Sequence, residues 1–583
     1  MSDQDDPFGD VSPIPEDWQP EAPAPAFGAD ADAAQLAAIE ACCAFPLNDC
    51  GNGQRFVRHF GAQLMWVPRV DWFVWTGRVW QRDPDQIEVR KLAHKIGPLI
   101  ARETRFIGAP AARARATGDE DAVEADLKSL LGKKDRSDED KGQIARLRAV
   151  GQRLRHAKNA GNSGPIGNMT IEGGIDLAVP IDDLDTGELT VNTESGALQF
   201  SVEDLTRDGG GRYACVQHVP HADPGADDPA PTKALRLTKM MPVIYDPEAE
   251  APQFQAFLER IMPQAHMRRF LQRWFGLSMT AITSDQKLAF FYGMGNNGKS
   301  VLVDLMAHIL GDYASTAKIE SLTGSNRRGG GDATPDLVPL IGARMVRSSE
   351  PDKGVQWQEG LIKELTGGEP ILVRALHSDF VEVLPKFKLT ISGNHKPDIR
   401  GTDDGIWRRL LIVPFDVQIP KDEIDRDLGR KLITEAPGVL NWCVQGLLEY
   451  LEVGLQEPQE VLAATTTLRS ESDPYGSFLE EACHVSGNPD DSLAAKDLVA
   501  AFHYWLADRG EGQFKDRTVA LALKERSRRW RSPATGQKFN ERKSMGTMRY
   551  DGIRLTDTFR RAFDDAPKDH RGRLLTQPHG GTE

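Results

Sequence analysis

At 583 residues the chain is too long for a single core and is expected to divide into three or four structural units. Apolar content of 40% and charged content of 27% are those of an ordinary globular protein, and no stretch approaches the roughly 18 unbroken apolar residues of a spanning helix, so a membrane class is excluded. The net charge of −15 argues against a nucleic-acid partner only on average: no Lys or Arg precedes Arg55, whereas Glu511–Arg554 holds twelve basic residues against five acidic ones, and patches bind phosphate.

Residues 1–35 mix six prolines with acids and alanines, and segment 1–50 is read as a disordered acidic, Pro-rich tail, because it offers too little apolar surface to offset its ordering entropy. The acidic start has neither the basic nor the apolar region of a signal peptide. Six cysteines without a C-x-x-C pair read as free thiols in a reducing cytoplasm, with no structural zinc. Trp66, Trp72, Phe73, Trp75 and Trp80 fall in short alternating segments over Leu64–Gln81, the pattern of a hairpin, and a helical pattern runs from Ile87 to Arg105. The polar stretch 111–163, with Lys133, Lys134, Arg146, Arg148, Arg153 and Arg155, reads as a solvated helical pair, with a DNA-facing collar as the alternative. Residues 170–245 read as strands and turns, with a turn at Asp185-Thr186-Gly187-Glu188.

The chemistry concentrates further on. A helical pattern over Pro252–Ile282 leads into the apolar strand Lys287–Tyr292, then Gly293-Met294-Gly295-Asn296-Asn297-Gly298-Lys299-Ser300, then a helix over Val301–Leu310. Strand, G-x-x-x-x-G-K-S loop and helix in that order predict a phosphate-binding P-loop, with residues Gly293 to Val301 holding ATP. The glycines let backbone N–H groups converge on phosphate oxygens, Lys299 reaches the outer phosphates, and the Ser300 hydroxyl coordinates Mg²⁺. A strand ending in Ser349-Glu350 supplies Glu350 as the candidate acid on the metal side. Another strand, Lys388–Gly393, ends at Asn394, a candidate for orienting water. Arg408 and Arg409 stand just before the apolar run Leu410–Phe415, where an arginine in an oligomeric ATPase reaches the neighbouring subunit's γ-phosphate.

This order of P-loop, strand-Ser-Glu, Lys363-Glu364-Leu365-Thr366-Gly367-Gly368, strand-Asn394 and Trp407-Arg408-Arg409 resembles the superfamily 3 helicases, in the branch of phage, plasmid and poxvirus primase-helicases. The resemblance is strong over about 245–420 and weaker over 60–245. It implies that Lys299, Glu350, Asn394 and Arg409 are catalytic, with Arg408 as the alternative to Arg409, and that Ser300 and Glu350 serve the metal. It further implies that Lys363, Thr366, Gly367, Gly368 and Arg374 match the extra motif of that family. The two strands Ile371–Leu376 and Phe380–Leu384 then form a hairpin that tracks DNA, with Arg374 and His377 as contacts. Ser349-Glu350 replaces the paired acids of many ATPases, as is common in this branch, and no upstream primase-polymerase region is evident.

The C-terminal region, with helical patterns at Ala495–Asp508 and Thr518–Trp530 and a strand within Met548–Leu555, suggests a winged-helix module in which Lys524, Arg528, Arg529 and Arg531 contact DNA phosphates. The expected fold class is α/β: an AAA+-like P-loop core at 246–450, an α+β N-terminal domain at 51–245, a small winged-helix-like domain at 451–565 and a flexible tail at 566–583. The expected function is a homo-oligomeric, hexameric DNA helicase of phage, prophage or plasmid replication. It would act in a bacterial host cytoplasm on single- or double-stranded DNA with ATP and Mg²⁺, alongside a separate primase and without a membrane partner. A DNA-packaging ATPase, a small-molecule kinase and a non-enzymatic origin-binding protein are the alternatives.

Overall fold

The structure, a computed structural model, describes residues 29–108, 120–204, 210–222, 231–324, 333–349, 355–374, 380–399, 404–509, 514–544 and 546–567. Most of the expected N-terminal tail and residues 568–583 of the expected C-terminal tail lie outside them. The chain forms two compact units, Met1–Leu184 and Asp185–Glu583. The division falls well before residue 245, because the strands after Asp185 pack into the second unit's core through Val191, Leu198 and Phe200.

The first unit corrects the reading of 1–50 as a tail. Once the prolines end, alanine-rich sequence favours helix. Ala29–Cys42 is helical with Ile39 and Cys42 fully buried, and Asn48 caps a second helix, Asp49–Phe60, by accepting from Gly51 N–H at 2.9 Å. The tryptophan segment is a three-stranded antiparallel meander, Leu64–Val67, Asp71–Trp75 and Trp80–Asp83, one strand more than a hairpin. The polar stretch does form two helices, Glu120–Leu131 and Asp138–Ala160, the latter opened by a Ser137–Asp140 capping box. They are not simply solvated: Val123, Leu147, Val150 and Leu154 share an apolar cluster, and Arg146 and Arg153 are buried. Arg153 pairs with Glu103 at 3.2 Å, and Glu103 is also bound by the fully buried Arg55 at 2.7 Å. Arg146 and Arg153 thus serve the fold, which leaves the exposed Lys133, Lys134, Arg148 and Arg155 for a collar. The start of the 170–245 region is also corrected, since Ser163–Asp176 is a helix.

His59 sits against Cys42, with Nε2 and Sγ 3.6 Å apart. Burial, reinforced by Arg58, Arg55 and Arg102, pulls the imidazole down to about 4, and burial pushes the Cys42 thiol up to about 11. Between about pH 4 and the imidazole's ordinary 6.5, the unfolded chain takes up a proton at His59 that the folded chain resists. Stability present above about pH 6.5 is therefore lost as pH falls toward about 4. In thermal melts of the full chain, the melting temperature should fall more steeply from about pH 7 to about pH 5 in the wild type than in His59→Gln.

The second unit is built on a five-stranded parallel sheet in the order Leu410–Pro414, Leu288–Tyr292, Lys388–Gly393, Met345–Ser348, Ala314–Thr316. Its strand Leu288–Tyr292 is apolar on both faces, as a sheet covered on both sides requires. Ala289 and Phe291 join one cluster with Trp274, Phe275 and Leu302, while Leu288 and Phe290 join another with Trp357 and Ile391. Trp274 Nε1 donates to Thr390 Oγ1 at 3.0 Å and fixes the helix Ala265–Ser278 on the first face. Upstream, the antiparallel strands Thr190–Thr193, Gly196–Asp204 and Arg212–Pro220 are tied to the sheet by the buried Arg344, which donates to Thr190 O at 2.7 Å and lies over the Tyr313 ring at 4.3 Å.

Ile371–Val373 and Val381–Val383 pair antiparallel as a short arm with Leu372 and Val381 exposed. The C-terminal part has its own core around Phe478, Phe502 and Trp505, with helices Ala495–Asp508 and Asp516–Arg529 beside the sheet Ser492–Ala494, Thr547–Asp551, Asn540–Ser544. The single strand expected at Met548–Leu555 is two strands, broken at Gly552, whose φ of 85° no ordinary strand residue adopts.

Candidate functional site

All five strands of the sheet run parallel, so the segments leaving their C-terminal ends gather on one edge, the place where open parallel sheets bind ligands. There Tyr292 passes into the glycine loop and the loop into the helix Lys299–Leu310. Two glycines are dictated by space. A Cβ on Gly293 would lie 2.2 Å from Phe415 O, and one on Gly298, whose φ is 78°, would lie 2.6 Å from Ile261 Cγ2. The loop is held from within: buried Asn297 donates through Nδ2 to Met294 O at 2.6 Å and to Phe415 O at 3.3 Å.

Lys299 is buried, and its ammonium donates to Gly293 O at 2.5 Å, Asn297 Oδ1 at 3.0 Å and Asn394 Oδ1 at 3.4 Å. Two residues 95 positions apart, each singled out in the sequence, thus meet at one point. Around it opens a cavity of about 920 Å³, lined by the loop from Gly295 to Val301 and by Ser348, Ser349 and Asn394. The rest of its lining is mixed, with Phe257, Ile419 and Leu428 beside the charged Arg260, Glu423 and Asp425. Arg347 also lines it and forms an ion pair with Asp304, one turn beyond Ser300 on the loop's helix, while its Nε donates to Thr316 Oγ1 at 3.1 Å. Neither Asp304 nor Arg347 was singled out in the sequence, where a lone charge on a helix or strand reads as surface.

Glu350 and His377 lie outside the described residues. Arg374, at the foot of the arm, is locked to Thr334, whose N–H donates to Arg374 O and whose Oγ1 accepts from Arg374 N–H, both at 2.8 Å, and its guanidinium lies over the Phe380 ring at 5.2 Å. Arg408 and Arg409 stand at the opposite edge of the sheet from the cavity, because the strand Leu410–Pro414 begins after them and ends beside Tyr292. Five residues at about 3.3 Å each put them about 16 Å from their own chain's glycine loop. Arg409 is buried and donates to Gly405 O at 2.7 Å, whereas Arg408 is exposed and donates to Gln286 Oε1 at 2.8 Å.

In the C-terminal part, Arg528, Arg529 and Arg531 are exposed and Lys524 pairs with Glu541 at 3.0 Å. Among the described residues no group of three or more His, Cys, Asp and Glu could hold a metal ion, and no helix is long and apolar enough to cross a membrane.

Residues 53–263 match the family described as D5 N terminal like. A protein named "Putative helicase" from Acanthamoeba polyphaga mimivirus is 27% identical over 274 residues, 44% of this chain and 28% of that protein. Another of that name from Frog virus 3 is 29% identical over 273 residues, 43% of this chain and 27% of that protein. A "Putative primase" of African swine fever virus is 26% identical over 26% of this chain and 16% of its own length. The chain thus spans less than a third of the length of these relatives. The A form apo structure of the NrS-1 C terminal region superposes with a TM-score of 0.33 at 12% identity, covering 55% of this chain and 79% of that one, too loosely to bear on the fold. Residues 53–263 thus carry a region like the one described as D5 N terminal like, and the chain is similar over less than half its length to viral proteins named putative helicase and putative primase.

Proposed function

We propose that the chain is an ATP-driven DNA translocase of the superfamily 3 helicase type, working as a ring of identical subunits in the replication of phage, prophage or plasmid DNA. The observation that carries this reading is the meeting of Lys299 and Asn394 at 3.4 Å where the glycine loop enters the cavity at the sheet's C-terminal edge. The residues suit a nucleoside triphosphate. The volume falls in the range of about 300–1,000 Å³ for small-molecule sites, the loop and helix start offer backbone N–H groups and a positive dipole end, and Phe257, Ile419 and Leu428 in the lining offer apolar surface to a base. The strand-loop-helix order within a parallel sheet supports a P-loop core.

In this reading Lys299 leaves its loop carbonyl to neutralise phosphate charge. Asn394, at the end of the neighbouring strand, orients the attacking water. Ser300 and Glu350 serve Mg²⁺, which when bound offsets phosphate charge. Catalysis is positioning and electrostatics, with no covalent step on the protein. The arginine offered to the next subunit is assigned to Arg408 in preference to Arg409, because the first is exposed and the second is buried and bonded to Gly405. The C-terminal helices and basic hairpin suit a winged-helix module, in which Arg528, Arg529 and Arg531 give sequence-independent affinity for phosphates. Single-stranded DNA, further copies of this chain and a separate primase are the proposed partners, in a bacterial host cytoplasm.

Incubation of the full chain with a forked DNA duplex and Mg·ATP tests the reading. Strand displacement that requires hydrolysable ATP is expected. Intact duplex with phosphate transferred to a small acceptor would instead favour a kinase. In Gly298→Ala, the Cβ meets Ile261 and the positive φ costs about 1–2 kcal/mol, so a lower melting temperature and weaker binding of a fluorescent ATP analogue are expected together.

A further inference from the structure

Gln286 occupies the turn before the strand Leu288–Tyr292, with φ at 53° and its N–H bonded to Thr283 O at 2.9 Å. Its side-chain amide connects three segments far apart in sequence. Oε1 accepts from Arg408 Nη2 at 2.8 Å and from Arg409 Nη2 at 3.3 Å, and Nε2 donates to Gly367 O at 2.6 Å. Gly367 lies in the turn that ends the helix Glu359–Leu365, a turn closed by Thr366 Oγ1 donating to Ile362 O at 2.6 Å and by Gly368 at a φ of 74°. Three residues beyond Gly368, that turn becomes Ile371–Val373, the first strand of the arm. The backbone nearby is pinned as well, since Leu288 N–H donates to Arg409 O at 2.8 Å.

An amide suits this junction because it presents an acceptor to two cationic groups and, from a separate atom, a donor to a carbonyl. The acceptor side is charge-assisted and holds a flexible, exposed arginine in one direction. The donor side ties that direction to the root of the arm. We infer that Gln286 is a positioning residue that aims Arg408 toward the neighbouring subunit's ATP site and couples its placement to the root of the arm whose strands are Ile371–Val373 and Val381–Val383. The inference rests on the proposed function, in which Arg408 acts in trans. A pull on the arm at Gly367 shifts Gln286 and, through it, the arginine. Conversely, an arginine drawn to a neighbour's phosphates releases the amide toward the arm.

The test uses Gln286→Ala and Gln286→Glu in the full chain, with ATP hydrolysis measured with and without single-stranded DNA and in mixtures with Lys299→Ala. Gln286→Ala should lose about tenfold or more in hydrolysis, less than the roughly 10³-fold expected for Arg408→Ala. It should regain activity when mixed with Lys299→Ala, whose intact Gln286 and Arg408 serve the variant's intact ATP site. Gln286→Glu keeps the acceptors but turns a carboxylate on Gly367 O, so its loss should be smaller while stimulation by DNA disappears. Gln286→Ala with wild-type hydrolysis and stimulation, or with a loss that mixing does not repair while that of Arg408→Ala is repaired, would overturn the inference. Wild-type hydrolysis that does not depend on Lys299 would remove the proposed function itself, and the inference with it.

Discussion

Lys299→Ala is expected to lower ATP hydrolysis by about 10²- to 10³-fold, the cost of removing one preorganised charge from a phosphate site. The effect should exceed any loss of stability. The ammonium is held by Gly293 O, Asn297 Oδ1 and Asn394 Oδ1, but the loop's own shape is carried by Asn297 Nδ2 on Met294 O and Phe415 O, which the substitution leaves in place. Phosphate release measured beside a thermal melt separates the two effects. A folded but inactive variant is expected, and a variant with wild-type turnover would place the hydrolytic site elsewhere.

Arg408→Ala should be at least as damaging in the assembled protein, with a loss of about 10³-fold, yet repairable. Mixed with Lys299→Ala, each inactive chain supplies what the other lacks: one an intact glycine loop, the other an intact arginine. Hydrolysis should therefore return in the mixture. Arg409→Ala should behave differently, because Arg409 is buried and bonded to Gly405 O, so its removal should lower the melting temperature and mixing should restore little. A failure of Arg408→Ala and Lys299→Ala to complement each other would mean that the arginine does not act across a subunit boundary.

The elements around the glycine loop were legible in the sequence because their signals are local. An apolar strand, glycines at fixed offsets and an apolar-periodic helix follow one another within about two dozen residues, and the structure forms Leu288–Tyr292 and Lys299–Leu310 there. What was not legible depends on distant partners. Arg146 and Arg153 read as solvated charges on a polar helix; their burial depends on Ile107 O and Glu103, about forty and fifty positions earlier. Ser163–Asp176 holds four glycines, which lower helix propensity, so tertiary contact decides its form. Its Gly173 faces Phe56 so closely that a Cβ would lie 3.0 Å from the ring, and the helices Asp49–Phe60 and Ser163–Asp176 meet through that gap. The same limit hid Gln286, an ordinary turn glutamine whose partners lie 81 and 122 positions away. Of the expected site, the sequence named Lys299 and Asn394, which share a hydrogen bond; it also ranked Arg409, which is buried, ahead of Arg408, which is exposed, an order that the proposed function reverses.

The most direct measurement is steady-state ATP hydrolysis with and without single-stranded DNA, for the wild type and for Lys299→Ala. Hydrolysis that rises several-fold with DNA in the wild type and is absent from Lys299→Ala under both conditions is the expected result. Hydrolysis indifferent to DNA, or preserved in Lys299→Ala, would contradict a DNA translocase driven from the glycine loop.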